Sequence, residues 1–438
     1  MKKQVDLIVQ PEWLVPVVPA GAVYQDCAIA ILNGRIEAVI PIEEMQTNYQ
    51  APETIRLAGQ ALMPGLVNAH GHSAMTLLRG YADDLPLQNW LNEHIWPAES
   101  QWVSDEFVRD GTRIACGEMI RSGTTCFSDM YFFPDITAEV ANQAGLRSRI
   151  AFPIIDFPSA WAQGPDEYMH KGLALHDQYK NHSLVTAAFG PHSPYTVNDQ
   201  ALERIAVLSE ELDAQIHIHL HETQKEVEDS LEQYGQTPIA RMEQLGILGP
   251  RTEAVHMTQL SEADLEIVKK TNTSVIHCPK SNLKLASGFC PISDLLDNHI
   301  TLGLGTDSAA SNNCLNMLEE MRFASLVSKA ASNNATALSA QESLHMATLG
   351  SATAMGLGSE IGSLEAGKAA DMISVEINNL QSQPLYNLIS QLVYSVPTQA
   401  KNVWVNGKAL LLDGELQTLS TTELLARASD WQTKISCA

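Results

Sequence analysis

The 438-residue chain is 45% hydrophobic and 18% charged, an ordinary globular composition and enough chain for a large α/β barrel with an accessory domain. Its 27 basic and 51 acidic residues give a net charge of −24, which repels phosphate backbones and anionic lipid and argues against nucleic acid and membrane as partners. No apolar run approaches the roughly 18 residues of a membrane span, no signal-peptide cleavage pattern follows Lys2-Lys3, and seven scattered cysteines without a CxxC pair fit reduced thiols in the cytoplasm.

Residues 1–63 hold short β-like runs at Val5–Val9, Ala28–Leu32, Arg35–Ile40 and Thr54–Leu57, with Asn33-Gly34 as a hairpin-turn signal. No amphipathic helix is expected there, so the segment reads as part of a small β unit. Over 64–365, apolar β-rich segments alternate with helical ones. Eight strands are expected: Ala61–Asn68, Thr124–Met130, Arg147–Asp156, Leu184–Pro191, Gln215–Glu222, Glu253–Thr258, Ser274–Pro279 and Ile300–Asp307. Helical spacing marks Asp199–Glu211 and Glu262–Lys270 between them. This is the arithmetic of an α/β fold of the (β/α)8 TIM-barrel type; a doubly wound sheet is disfavoured because no Gly-rich fingerprint follows the first strand. Residues 366–438 return to β texture at Ala370–Glu376 and Val403–Leu412, the latter with an Asn406-Gly407 turn, and end in a helical tail from 421. Together with 1–63 they are expected to form a small β-sandwich domain built from both chain ends.

The chemistry-bearing residues collect at the expected strand ends. His70 and His72 close the first strand; residues two apart on a strand share a side, so both imidazoles reach one ion, with Gly71 leaving room between them. His192 follows strand four, His217, His219, His221 and Glu222 end strand five, His256 lies on strand six, His277 on strand seven, and Asp307 closes strand eight. Barrel active sites form at that face. Period-two spacing leaves His217, His219 and His221 all open as ligands.

The segments MPGLVNAHGHSAMTLLRGYADDLPLQNWL, GPHSPYT, HLHET, HCPKSNLKLASG and LGTDSAASNN resemble the amidohydrolase superfamily, and within it the 5-methylthioadenosine/S-adenosylhomocysteine deaminases. The resemblance implies metal ligation by His70, His72, His219 and Asp307. Binuclear members carry a bridging lysine on strand four; here that strand reads LVTAAFGP, so one divalent metal ion is expected, with zinc the best match and iron, manganese or cobalt compatible with the same donors. Catalytic roles fall to Asp307 as proton acceptor, Glu222 as the group that protonates the ring nitrogen, and His256 as the partner of the attacking oxygen. Substrate contacts fall to Glu99 at the ribose hydroxyls, to Glu222, to His192 at the ring or sugar, and to Arg149, with Arg147 as its competitor, at the substrate's tail. Trp90 and Trp96 are expected in the core rather than the pocket wall.

The expected reaction is hydrolytic deamination of 5′-methylthioadenosine, S-adenosylhomocysteine or adenosine to the inosine counterpart. The rival reading is a deaminase or chlorohydrolase of a free heterocycle, a triazine or a guanine-type base; a cyclic-amide hydrolase is disfavoured by the missing lysine. The expected partner is a small nucleoside, and a homo-oligomer is the base-rate expectation.

Overall fold

A computed structural model describes residues 1–437. Eight parallel strands run in sequence order around one sheet: β1 (Leu66–Asn68), β2 (Thr124–Asp129), β3 (Arg147–Ile154), β4 (Val185–Pro191), β5 (Ile216–Leu220), β6 (Thr252–His256), β7 (Ser274–His277) and β8 (Leu302–Leu304). The sheet closes on itself. Ala69 donates its backbone N–H to Leu304 O at 2.8 Å and Asp307 to His70 O at 3.0 Å. Almost every residue of these strands is buried, as a sheet covered on both faces requires.

The connecting helices carry their own start signals. Asp199–Leu212 begins at Asn198, whose side chain accepts from Ala201 N–H, and Glu262–Thr271 begins with a Ser261/Asp264 capping box. The C-terminal helix Thr421–Ser436 packs on Asp105–Arg121, where Trp431 Nε1 donates to Asp110 Oδ2 at 3.0 Å.

The first barrel strand differs from the expected Ala61–Asn68. Glu53–Pro64 is a strand of the accessory sheet, and the chain enters the barrel only after Gly65. A Cβ on Gly65 would lie 2.0 Å from Thr125 Oγ1, so only glycine passes there. Strand Glu53–Pro64 pairs in parallel with Leu7–Leu14 and antiparallel with Met372–Glu376, joining both chain ends in a mixed nine-stranded sheet. Leu14, Ile29, Ile31, Leu62, Met372 and Trp404 form its core. Both predicted hairpin turns are present, with positive φ at Asn33 (52°), Gly34 (77°), Asn406 (46°) and Gly407 (69°), as a type I′ turn needs. One seven-residue helix, Ile42–Asn48, lies where none was expected. The barrel and sheet are pinned by Arg147 of β3, which donates to Asp371 (2.8 Å) and Asn406 Oδ1 (2.8 Å). No helix among the described residues is long and apolar enough to cross a membrane.

Candidate metal centre and active site

The ends of β1, β5, β6 and β8 bring His70, His72, His219, His256 and Asp307 together at one face of the barrel. The ligating atoms of His70, His72 and His219 lie within 4.8 Å of one another, as do those of His70, His256 and Asp307. Asp307 Oδ1 sits 3.4 Å from His70 Nε2 and 3.3 Å from His72 Nε2. Gly305 permits this approach, because a Cβ there would lie 2.7 Å from His70 Cβ. Gly71 has a lesser part than its spacing suggested: a Cβ on it would meet nothing closer than 3.6 Å.

Hydrogen bonding fixes which ring nitrogens face inward. His72 Nδ1 lies 2.5 Å from Met130 O and His219 Nδ1 lies 2.8 Å from His192 O. A carbonyl only accepts, so both Nδ1 atoms carry hydrogen and both Nε2 atoms face the cluster. His70 Nδ1 is engaged by His217 Nε2 at 2.7 Å, and its Nε2 lies 3.3 Å from His219 Nε2. Asp307 is held by donors to both oxygens: Ser308 N–H at 2.7 Å on Oδ1, and Ser281 Oγ at 2.6 Å and Ser311 Oγ at 3.1 Å on Oδ2.

Three imidazole Nε2 atoms and a carboxylate oxygen thus converge at short range. Such a set is unfavourable unless a cation binds it, and three nitrogens with one oxygen suit a divalent ion with zinc's preferences. In the metal-free chain a proton does part of this work. Burial holds His70 and His219 well below the usual histidine range. Burial opposes charge on His72 too, but Asp307 outweighs it and pushes His72 up to about 9.

Glu222 and His256 flank the cluster. Their side chains are 4.0 Å apart (His256 Nε2 to Glu222 Oε2), and burial raises the Glu222 carboxyl above its ordinary range. Backbone N–H groups of His221 and Glu222 donate to Glu226 at 2.9 and 2.8 Å, fixing the loop that carries Glu222. His256 Nδ1 pairs with Asn282 Oδ1 at 2.9 Å, which leaves Nε2 toward the cavity. His221 (φ 51°), His256 (φ 76°), Met257 (φ 49°) and Asp307 (φ 61°) all occupy left-handed backbone conformations at these strand ends.

A cavity of about 360 Å³ opens over the cluster, lined by His72, His219, Glu222, His256 and Asp307 at its floor. Glu99 and His192 also line it, as do Trp90, buried in the main hydrophobic core as expected, and Trp96, expected in the core but half-buried at the cavity wall. Glu99 accepts from Tyr131 Oη at 2.7 Å; burial pushes its carboxyl up to about 7 against the pull of Tyr131 and His72. Burial and nearby His72 hold His192 down at about 4, so its ring is uncharged at neutral pH.

The remaining candidates lie elsewhere. Arg149 does not line the cavity; it is buried one layer down, its Nη1 3.1 Å from Glu253 Oε1. Arg147 points to the accessory sheet. His221 is a structural residue, bonded to Gln259 O and to Ile239 N–H, and His277 is buried without a ring partner. Sequence reasoning missed Tyr131, Glu226, Ser281, Asn282, Ser308 and Ser311. Ser281 and Asn282 follow β7 immediately, and Ser308 and Ser311 follow β8, so position at the barrel's active face was the available signal.

The amidohydrolase family matches residues 61–410 of this chain. The 5-methylthioadenosine/S-adenosylhomocysteine deaminase of Saccharophagus degradans is 51% identical over 99% of this chain and 98% of its own. The protein of the same name from Teredinibacter turnerae is 49% identical, covering 98% of each. Among solved structures, an adenosine deaminase from Xanthomonas campestris with bound zinc superposes at a TM-score of 0.99, with 47% identity over the whole of both chains.

Proposed function

The chain belongs to the amidohydrolase family, and we propose that it hydrolyses the 6-amino group of adenosine-type nucleosides, 5′-methylthioadenosine, S-adenosylhomocysteine or adenosine, to give the inosine counterpart and ammonia. The observation that carries this reading is the convergence of four acceptor atoms beside the raised carboxyl of Glu222, on the floor of a cavity sized for a nucleoside.

His70, His72, His219 and Asp307 would hold one divalent ion, zinc by the chemistry of the set. When bound, such an ion lowers the pKa of water to about 7 and so supplies a hydroxide-like nucleophile at working pH.

The chain's own groups do the rest. Glu222 delivers a proton to the ring nitrogen beside the carbon under attack, which makes that carbon electrophilic; a buried carboxyl whose pKa is raised keeps that proton closer to neutrality. His256 gives Nδ1–H to Asn282, so its Nε2 faces the attacking oxygen and steadies it by hydrogen bonding, without taking a proton away. Asp307, held by Ser308 N–H on Oδ1 and by two serines on Oδ2, takes a proton from the water beside it and passes that proton toward the leaving amine. Glu99, an acceptor for two hydroxyls, takes the ribose diol, and the uncharged His192 sits beside the ring and sugar.

Trp90, Trp96 and Phe157 line the cavity and give it an apolar wall. All seven cysteines are unpaired, which fits action in the cytoplasm. The test is ammonia release from a panel of nucleosides and free bases by the zinc-loaded protein. Turnover of adenosine derivatives is expected; turnover of triazines or guanine with none of any adenosine derivative overturns the reading.

A further inference from the structure

Beneath the metal cluster the barrel interior is polar where bulky aliphatic side chains usually fill it. Arg149 of β3, Glu253 of β6 and His217 of β5 occupy this layer, the last two with no exposed side-chain surface. His217 and Glu253 are register partners on adjacent strands. Arg149 Nη1 lies 3.1 Å from Glu253 Oε1, His217 Nδ1 lies 3.0 Å from Glu253 Oε2, and His217 Nε2 lies 2.7 Å from His70 Nδ1.

We propose that Arg149, Glu253 and His217 form a positioning relay that sets the tautomer and ring orientation of His70 and thereby the affinity of the metal site. The inference rests on His70 being a ligand, as argued above. The direction of the relay follows from what each atom can do. The Glu253 carboxylate accepts, so His217 Nδ1 must donate to it. In that tautomer His217 Nε2 presents a lone pair, which draws the hydrogen of His70 onto Nδ1. His70 Nε2 is then left with its lone pair aimed at Asp307 and His219, the only tautomer in which it can bind a metal. Arg149 occupies the second oxygen of Glu253 and keeps the carboxylate turned toward His217.

A carboxylate behind a metal-bound histidine is a known way to orient a ligand; here a second imidazole is interposed, carrying the effect from β6 through β5 to β1. Stability alone is a weak reason for these groups, since a buried ion pair is often no better than apolar packing. The relay also accounts for Arg149, which lies too deep to reach a substrate's tail.

The test measures zinc affinity by chelator competition for Glu253→Gln, His217→Asn and the double replacement Arg149→Met/Glu253→Met, with His70→Ala as reference and thermal melting as a check on folding. The relay predicts a loss of about 10- to 100-fold in zinc affinity for the first two, and a comparable loss in the double variant even where apolar packing restores its melting temperature. Parental zinc affinity in any folded relay variant, with affinity lost in His70→Ala, overturns the relay alone. Retention of zinc at parental affinity by His70→Ala overturns the ligand assignment beneath it. Should the relay variants not fold, nitrogen-15 NMR of the unmodified metal-free protein decides: the relay requires hydrogen on Nδ1 of His70, and hydrogen on Nε2 overturns it.

Discussion

Tyr131 Oη donates a 2.7 Å hydrogen bond to Glu99 Oε1, tying the loop after β2 to the helix Trp96–Trp102 across the mouth of the cavity. Burial nevertheless leaves the Glu99 carboxyl raised to about 7. Its ionised form is therefore lost as the pH falls through about 7, inside the working range. If Glu99 binds the ribose diol, KM for nucleosides rises as the pH drops from 8 to 6, while KM for free adenine stays flat. Tyr131→Phe removes a bond that favours the ionised form and moves the nucleoside transition to higher pH. Steady-state kinetics across pH with both substrates checks this, and parallel profiles for nucleoside and base remove Glu99 from the ribose.

The cavity walls also bear on the group carried at the 5′ carbon. Among the described residues lining the cavity there is no lysine or arginine, whereas Met75, Leu87, Trp90, Trp96, Phe157 and Leu285 give it an apolar surface. A methylthio group gains from burial there, while the carboxylate of a homocysteinyl tail loses solvation without a cationic partner. We expect kcat/KM for 5′-methylthioadenosine to exceed that for S-adenosylhomocysteine by about tenfold or more, a difference of about 1.4 kcal/mol in transition-state binding. Equal values would mean that the tail leaves the cavity for solvent.

Replacing Glu222 by Gln keeps its shape and removes its proton. Turnover should fall by about 100-fold or more, the usual worth of a positioned acid, with metal content unchanged by elemental analysis. Loss of metal with the activity would make Glu222 a ligand.

The buried Glu320 and the half-buried Glu99 and Glu226 give stability a definite pH trend. Glu99 is raised to about 7, and Glu226 and Glu320 to about 8, in each case by burial against the pull of hydrogen bonds. A carboxyl whose folded pKa lies above its unfolded one binds protons more tightly in the folded state, so stability declines as pH rises between the two values. The melting temperature should fall from pH 5 to pH 8.5 through these groups. Glu320→Gln, whose amide retains an acceptor for Asn312 Nδ2, should flatten the decline. An unchanged slope in that variant would assign the trend elsewhere.

The clasp between barrel and accessory sheet supplies a separate test. Asp371, whose side chain is 1% exposed, takes Arg147 on both oxygens. Arg147→Ala should cost about 3–5 kcal/mol by leaving that carboxylate buried without its cation. Urea denaturation measures it; a cost below about 1 kcal/mol, typical of an exposed pair, would show that water reaches Asp371.

The barrel was legible because most strands read as short apolar runs ending in polar residues, from LVNAH through LGLGTD, although the first was drawn too long at its start. The convergence of His70, His72, His219, His256 and Asp307 was legible because residues at the ends of parallel barrel strands share one face. Arg149 shows the limit of that reasoning. Alternation along β3 sends its side chain into the barrel, but alternation is blind to depth, and one layer separates a cavity wall from a buried ion pair. Trp96 was hidden differently: it lies on a helical segment whose facing is decided by how it folds back over the barrel mouth. Helix Ile42–Asn48 did leave a trace, Pro41 at its start and Glu43 and Glu44 in its first turn, outweighed by the β texture around it.

The left-handed backbone at His256 and Asp307 has an implication for attempts to improve the protein. Such conformations cost about 1–3 kcal/mol each and survive because their surroundings impose them. Glycine or asparagine at Asp307 would relax the chain there while deleting the carboxylate proposed to hold the metal. A library screened for heat resistance alone would therefore be drawn toward the very positions proposed to act in the reaction, and selection should score turnover in every round.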